Sequence, residues 1–340
     1  MGQQNSKITT IEHTNWQGEP AIRLCAGGYE AIMLPKIGAN VISLKYLEEG
    51  LHILRTPEDL ASFKARPQSY GIPVLFPPNR IEDGTFIVGE STYHFPINSN
   101  HNNHIHGFLH TRPWVVTRLD VLDEDAVEVE VVFTADKNTD FFPYFPHEFQ
   151  FTLVYHLSSE GLMQKASITN QSKQPMPFGL GYHTALRVPF HPNSSPDDYR
   201  LLISIGTRWE LNERMLPTGV QLPLSDEEMD FRGNGKRPFG PALDNHYTAL
   251  PLIIRGTSFH GAKLEDQSKN LRLIYEVGEN YKHWMIWNGS GNDGFICPEP
   301  QTWTVNAPNL SLPHEITGLK ILAPGETWKE TCRLYIRHIE

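Results

Sequence analysis

Apolar and polar residues alternate with a period of two through much of this 340-residue chain. The segment DAVEVEVVFTA (125–135) interleaves valine with acidic residues, as a strand with one buried face does. EFQFTLVYHL (148–157) repeats the alternation with aromatics, SSEG turns the chain, and LMQKASITN follows, which predicts a hairpin. LRLIYEV (271–277), YKHWMIW (281–287) and TCRLYIRHI (331–339) read as further strands. Helical periodicity is scarce. A short helix is predicted at TPEDLASFKA, with Thr56 as N-cap and Pro57 in the first helical position, and a helical turn at SDEEMD (225–230). The tract 191–240, rich in Pro, Gly and Asn, reads as long loops. No low-complexity linker and no solenoid-length repeat divides the chain. The pattern predicts an all-β protein, a single large antiparallel sandwich over residues 1–340 with few short helices and residues 1–10 as a frayed start.

Composition narrows the function classes. An apolar fraction of 39% supports a sizeable core, and 29 basic against 39 acidic residues leave a formal charge of −10. That field repels phosphate backbones and anionic lipid, so neither nucleic acid nor a membrane surface is an expected partner. Cys25, Cys297 and Cys332 are scattered, which argues against a disulfide framework and for a reducing compartment. The N-terminal segment lacks the apolar stretch of a secretory signal, so the expected location is the cytoplasm. Gly2 followed by Ser6 fits the loose myristoylation pattern, which recurs by chance.

The stretch NHNNHIHGF (100–108) brings His101, His104 and His106 within six positions and raises the question of a metal. On a strand, His104 and His106 would project from one face, as in several β-scaffold metal sites. A metal site needs a third ligand and supporting neighbours, yet GFLHTRPW follows and no carboxylate occurs until Asp120. No metal is therefore expected. His101 and His104 read as loop residues satisfied by neighbouring asparagines or water. His106 stands apart, because Gly107 beside it permits close approach of backbone or ligand.

Other segments mix polar heads with aromatic or Pro-Gly surroundings. GIPVLFPPNRIEDGTF (71–86) places Asn79 and Arg80 after a rigid Pro-Pro, and FGLGYHTALRVPF (178–190) carries His183. GPALDNHYTAL (240–250) carries Asp244, and GFICPEPQTWTVNAPNL (294–310) brackets Glu299 between two prolines. Singly, each has an ordinary structural explanation. Together, NRI-x-x-G-x-F, H-G-F, G-x-H, L-D-N and E-P-x-T-W…A-P-N-L, in that order, resemble the aldose 1-epimerase, or galactose mutarotase, family.

The resemblance implies a large antiparallel β-supersandwich that interconverts the α and β anomers of a sugar without a cofactor. It implies Glu299 as general base, His183 as general acid, His106 as a second active-site histidine, and Arg80 and Asp244 as holders of sugar hydroxyls. Asn79 beside Arg80 is a further binding candidate, and Trp287, Phe76 and Trp303 are candidates to stack on the sugar ring. These residue types suit the chemistry. Mutarotation removes a proton from the C1 hydroxyl while protonating the ring oxygen, work for a carboxylate and an imidazole near neutral pH. The expected partner is a small-molecule sugar, a free hexose such as glucose or galactose, acted on by a monomer or homodimer. HGF also resembles the hexose-6-phosphate 1-epimerase branch, but Leu109, His110 and Thr111 intervene before Arg112 and weaken that match. A glycoside hydrolase using Glu299 and Asp244, and a non-catalytic carbohydrate-binding protein, are rivals from other classes.

Overall fold

A computed structural model describes residues 8–339. The Gly2–Ser6 pattern and most of the expected frayed start lie outside the described residues, and Thr10 already opens the first strand, Thr10–Trp16. Strand pairing dominates, and every pair of named strands is antiparallel. One sheet has eight strands, in the order Val115–Val121, Val127–Ala135, Phe149–Ser158, Gly161–Asn170, Thr327–His338, Leu271–Val277, Gly261–Asp266 and Tyr199–Ile203. The predicted hairpin is its centre, with Phe149 paired to Asn170 and Ser158 to Gly161. Phe149, Phe151, Leu153, Tyr155 and Leu157 all point inward and are fully buried. Along Val127–Ala135, Val127, Val129 and Val131 face the same core while Glu128 faces Arg118 and Lys165 on the outside. Period two thus translates directly into inside and outside.

The second large sheet runs Pro217–Leu222, Ile205–Leu211, Asp244–Ala249, His283–Trp287, Phe295–Gln301, Gly181–Tyr182 and Val74–Leu75. A five-stranded N-terminal sheet, from Thr10–Trp16 to Leu51–His52, packs beside the first. A single apolar core joins all three, containing Leu24 and Val41, Val131 and Leu153, and Tyr182 and Ile286. The protein is an all-β sandwich.

Three local expectations are corrected. The helix occupies Leu60–Ala65 with Asp59, not Thr56, as N-cap: the Ser62 N–H donates to Asp59 Oδ1 at 2.7 Å, whereas the Thr56 hydroxyl turns back to the Leu54 carbonyl. Pro57 consequently precedes the helix. The tract 191–240 holds three strands, Tyr199–Ile203, Ile205–Leu211 and Pro217–Leu222, not loops alone. His104 is not a solvated loop residue. It lies on the short strand Asn103–Ile105, 1% exposed, with Nδ1 2.7 Å from the Pro96 carbonyl and its ring against Phe95 and Phe108. The helical turn Asp226–Met229 forms as expected, closed by a capping box from Ser225 to Glu228. No helix among the described residues is long and apolar enough to cross a membrane.

Candidate active site

The strand Phe295–Gln301 carries Glu299, and its two prolines explain how a histidine reaches the carboxylate. On one side this strand pairs continuously with His283–Trp287, Glu299 opposite Met285. On the other side pairing is interrupted. Leu186 and Arg187 pair with Ile296 and Phe295, Gly181 pairs with Gln301, and nothing pairs in between. Pro298 and Pro300 stand in that gap with no N–H to donate, so the neighbouring chain departs without orphaning an amide. The departing segment carries His183, and it is held from the opposite side: His183 N–H donates to the Pro73 carbonyl at 3.1 Å and Ala185 N–H to Gly71 at 2.9 Å. His183 Nε2 thereby comes within 3.1 Å of Glu299 Oε1.

Arg80 and His106 arrive together on a two-stranded ribbon, Arg80–Glu82 paired with Asn103–Ile105. His106 follows that strand in the left-handed region (φ 67°), which breaks the alternation and separates its side chain from the core-facing His104. Its N–H donates to the Asn79 carbonyl at 3.0 Å. Gly107 must be glycine, because a Cβ there would sit 2.0 Å from the Phe76 carbonyl oxygen. The His106 and His183 rings meet edge to face with centroids 5.4 Å apart, and Trp287 approaches His183 at 5.2 Å. Asp244 lies in register opposite Trp287, and its Oδ2 accepts from Arg80 Nη2 at 3.2 Å. Asn79, also left-handed (φ 59°), accepts from the backbone N–H of Arg80 and from its Nη1.

Seven of the nine site candidates singled out in the sequence, Glu299, His183, His106, Arg80, Asp244, Asn79 and Trp287, line one pocket of about 260 Å³. Phe76 and Trp303 do not. Phe76 sits among Phe145, Phe149, Phe151 and Phe178, and Trp303 is 1% exposed with its indole N–H on the Pro78 carbonyl, so neither ring can meet a sugar. The pocket also takes Arg66, Gln68 and Ser69, which no motif marks. Buried Asn40 fixes their loop by donating to the Pro67 and Tyr70 carbonyls, and Arg55 donates to the carbonyl of Ser69. Gln301 was equally unmarked, although its place two residues after Glu299 puts both side chains on one face of the strand.

Burial sets the electrostatics. Glu299 is 1% exposed, and desolvation, followed by the nearby Asp244 charge, holds its carboxyl well above the usual range despite Arg80. Desolvation pushes His183 below the ordinary imidazole range, and His106 further, with His183 and Arg80 adding to the effect. The buried pair therefore favours a carboxylic acid beside a neutral imidazole, and holds one transferable proton. Among the described residues no group of three or more His, Cys, Asp or Glu side chains is arranged to hold a metal ion.

Comparison with known proteins follows the same lines. The sequence profile of the aldose 1-epimerase family matches residues 20–335. A galactose mutarotase-like protein from Clostridium acetobutylicum is 42% identical and superposes with a TM-score of 0.95, over 97% of this chain and 99% of that one. Galactose 1-epimerase from Lactobacillus acidophilus shares the fold at 18% identity and a TM-score of 0.74, over 98% of this chain and 100% of its own. Mouse galactose mutarotase is 23% identical over 174 residues, 51% of this chain, so the match spans about half (48%) of the mouse protein's length. The chain belongs to the aldose 1-epimerase family of isomerases.

Proposed function

We propose that the protein interconverts the α and β anomers of a free hexose such as glucose or galactose, with Glu299 and His183 moving the protons. The observation that carries this reading is the 3.1 Å contact between Glu299 Oε1 and His183 Nε2 at the buried end of a polar pocket. Ring opening needs a proton to leave the C1 hydroxyl as another reaches the ring oxygen. The C1–ring oxygen bond breaks, C1 becomes an aldehyde carbon, rotation about C1–C2 presents its other face, and closure reverses both transfers. A carboxylate with an imidazolium does this as base and acid. The carboxylic acid with neutral imidazole is the same pair with its proton shifted across 3.1 Å, and it does so with the roles exchanged. Each member ends the opening step in the other's protonation state, so closure restores the pair with no proton drawn from solvent.

Arg80 and Asp244 supply donors and an acceptor for sugar hydroxyls, and Arg80's planar fork can span two of them. Trp287, partly exposed, offers the pocket's aromatic wall. Polarimetry of freshly dissolved α-D-glucose and α-D-galactose tests the reading. The wild type should accelerate the approach to anomeric equilibrium and Glu299→Gln should not. No acceleration with any common aldose would sink it, and release of reducing sugar from a glycoside would favour a hydrolase.

One observation favours a second reading, an aldose phosphate. Arg66 lines the pocket, and its guanidinium makes no ion pair or hydrogen bond among the described residues. Adding glucose 6-phosphate to the same assay separates the two: a phosphate preference that vanishes in Arg66→Ala would replace the free-hexose reading.

A further inference from the structure

We infer that Gln301 is a positioning residue, which directs the transferable proton of the Glu299 carboxyl onto the oxygen that faces His183. The inference rests on the proton-transfer reading of Glu299 and His183. The two oxygens of Glu299 have different neighbours. Oε1 faces His183 Nε2 at 3.1 Å, and Oε2 faces Gln301 Nε2 at 3.4 Å. An amide NH₂ only donates, so the oxygen opposite it must accept. A neutral carboxyl that accepts through Oε2 carries its proton on Oε1, aimed at the imidazole. The reverse arrangement would put the proton on Oε2, out of reach of His183, and the pair could not exchange it.

The packing around Gln301 holds its stem in place, and its contact with Glu299 Oε2 orients the amide. The residue is fully buried, opposite His283 on one neighbouring strand and Gly181 on the other. A Cβ on Gly181 would approach Gln301 Cγ to 3.0 Å, so the glutamine stem fills space that glycine leaves. Its Oε1 has no hydrogen-bond partner, an unusual cost for a buried amide. A residue kept only for packing would be apolar here. At 3.4 Å the bond is long, as catalytic hydrogen bonds often are before substrate binds. The charged and titratable groups around Glu299 are His183, Asp244, Arg80 and the Cys297 thiol two residues before it. Gln301 is the neutral donor among these influences, and it favours the ionised carboxylate.

Two substitutions test the inference. Gln301→Met removes the donor at similar volume and also removes the orphaned oxygen, so folding should survive. Gln301→Glu replaces the donor by a group that donates only when protonated. Mutarotation should fall by about tenfold or more in kcat for Gln301→Met, with KM changed by less than about threefold. The carbon-13 resonance of the Glu299 carboxyl should titrate at higher pH than in the wild type. Gln301→Glu should be slow at neutral pH and recover part of its rate on acidification. Unchanged kcat, unchanged pH profile and an unchanged Glu299 titration in folded Gln301→Met would overturn the inference. If the wild type accelerates no aldose, the proposed function fails, while the carboxyl titration still decides what Gln301 does to Glu299.

Discussion

Two acid–base contacts build the pocket, and burial makes them different devices. Glu299 and His183 meet at 3.1 Å with side chains 2% and 6% exposed. Arg80 and Asp244 meet at 3.2 Å, with the Asp244 side chain 37% exposed. The Arg80–Asp244 contact joins a planar guanidinium to a carboxylate that water still reaches, so it presents fixed donors and acceptors. The Glu299–His183 contact has lost the solvent that would stabilise two charges, so its proton favours the carboxyl while staying within reach of the imidazole. The comparison teaches that an ion-pair distance alone does not say what a pair does. The exposed pair is suited to hold a hydroxylated ligand, and the buried pair to change its protonation.

That division is broken most directly at the buried pair. Glu299→Gln keeps shape and hydrogen-bonding capacity but cannot carry the proton, and His183→Asn does the same to its partner. Either should lower kcat for mutarotation by about 10²–10⁴-fold while the sugar still binds, as calorimetric titration would measure. Because the two share one proton, the double variant should be little worse than either single one. Additive losses would mean that the residues act separately, and the distinction between the two contacts would fall.

The exposed pair gives a smaller effect with a second signature. Asp244→Asn should raise KM by about tenfold, the loss of a charged acceptor for a hydroxyl pair. The Asp244 charge is also a cause of the high Glu299 pKa, so its removal should bring that pKa down. Activity is lost on the alkaline side when the pair gives up its proton, and this limb should move to lower pH in Asp244→Asn. A pH–rate profile that keeps its alkaline limb in place would show that the two contacts are electrostatically independent.

Much of this arrangement was legible in the chain because local rules produce it. Period two predicted the strands 127–135, 149–158 and 271–277, since alternate side chains of a strand must face core and solvent. The motif residues converge because each sits at a strand end or on a strand of one sheet. The parts that were not legible depend on distant contacts. The Arg66–Ser69 loop enters the pocket because Asn40 holds it from more than 25 residues away. His104 and His106 part company because His106 turns left-handed, while Ile105 pairs with Arg80. Pro217–Leu222 is an edge strand with only Pro217 buried, so it carries no strong alternation to read. Gln301 was visible as a neighbour on the Glu299 face, but only the side-chain geometry distinguishes the two carboxyl oxygens.

A last effect, read in stability and not in rate, concerns histidines outside the proposed proton-transferring pair. Burial lowers His104 and His147, each 1% exposed, from 6.5 to about 4, and in these two residues it serves the core. Between those values the unfolded chain binds protons that the folded one refuses. Stability linked to these residues is therefore fully present above pH 6.5 and declines as the pH falls toward about 4. For each histidine the decline is at most about 1.4 kcal/mol per pH unit. Glu299 works in the opposite sense, because its raised pKa favours folding at low pH and that contribution is lost as the pH rises through it. Urea denaturation at a series of pH values should show the net acid loss, and His104→Phe, whose ring would lie against Phe95 and Phe108, should flatten it. An unflattened slope would mean that His104 is protonated in the folded protein, and that burial fails to keep even a core histidine neutral.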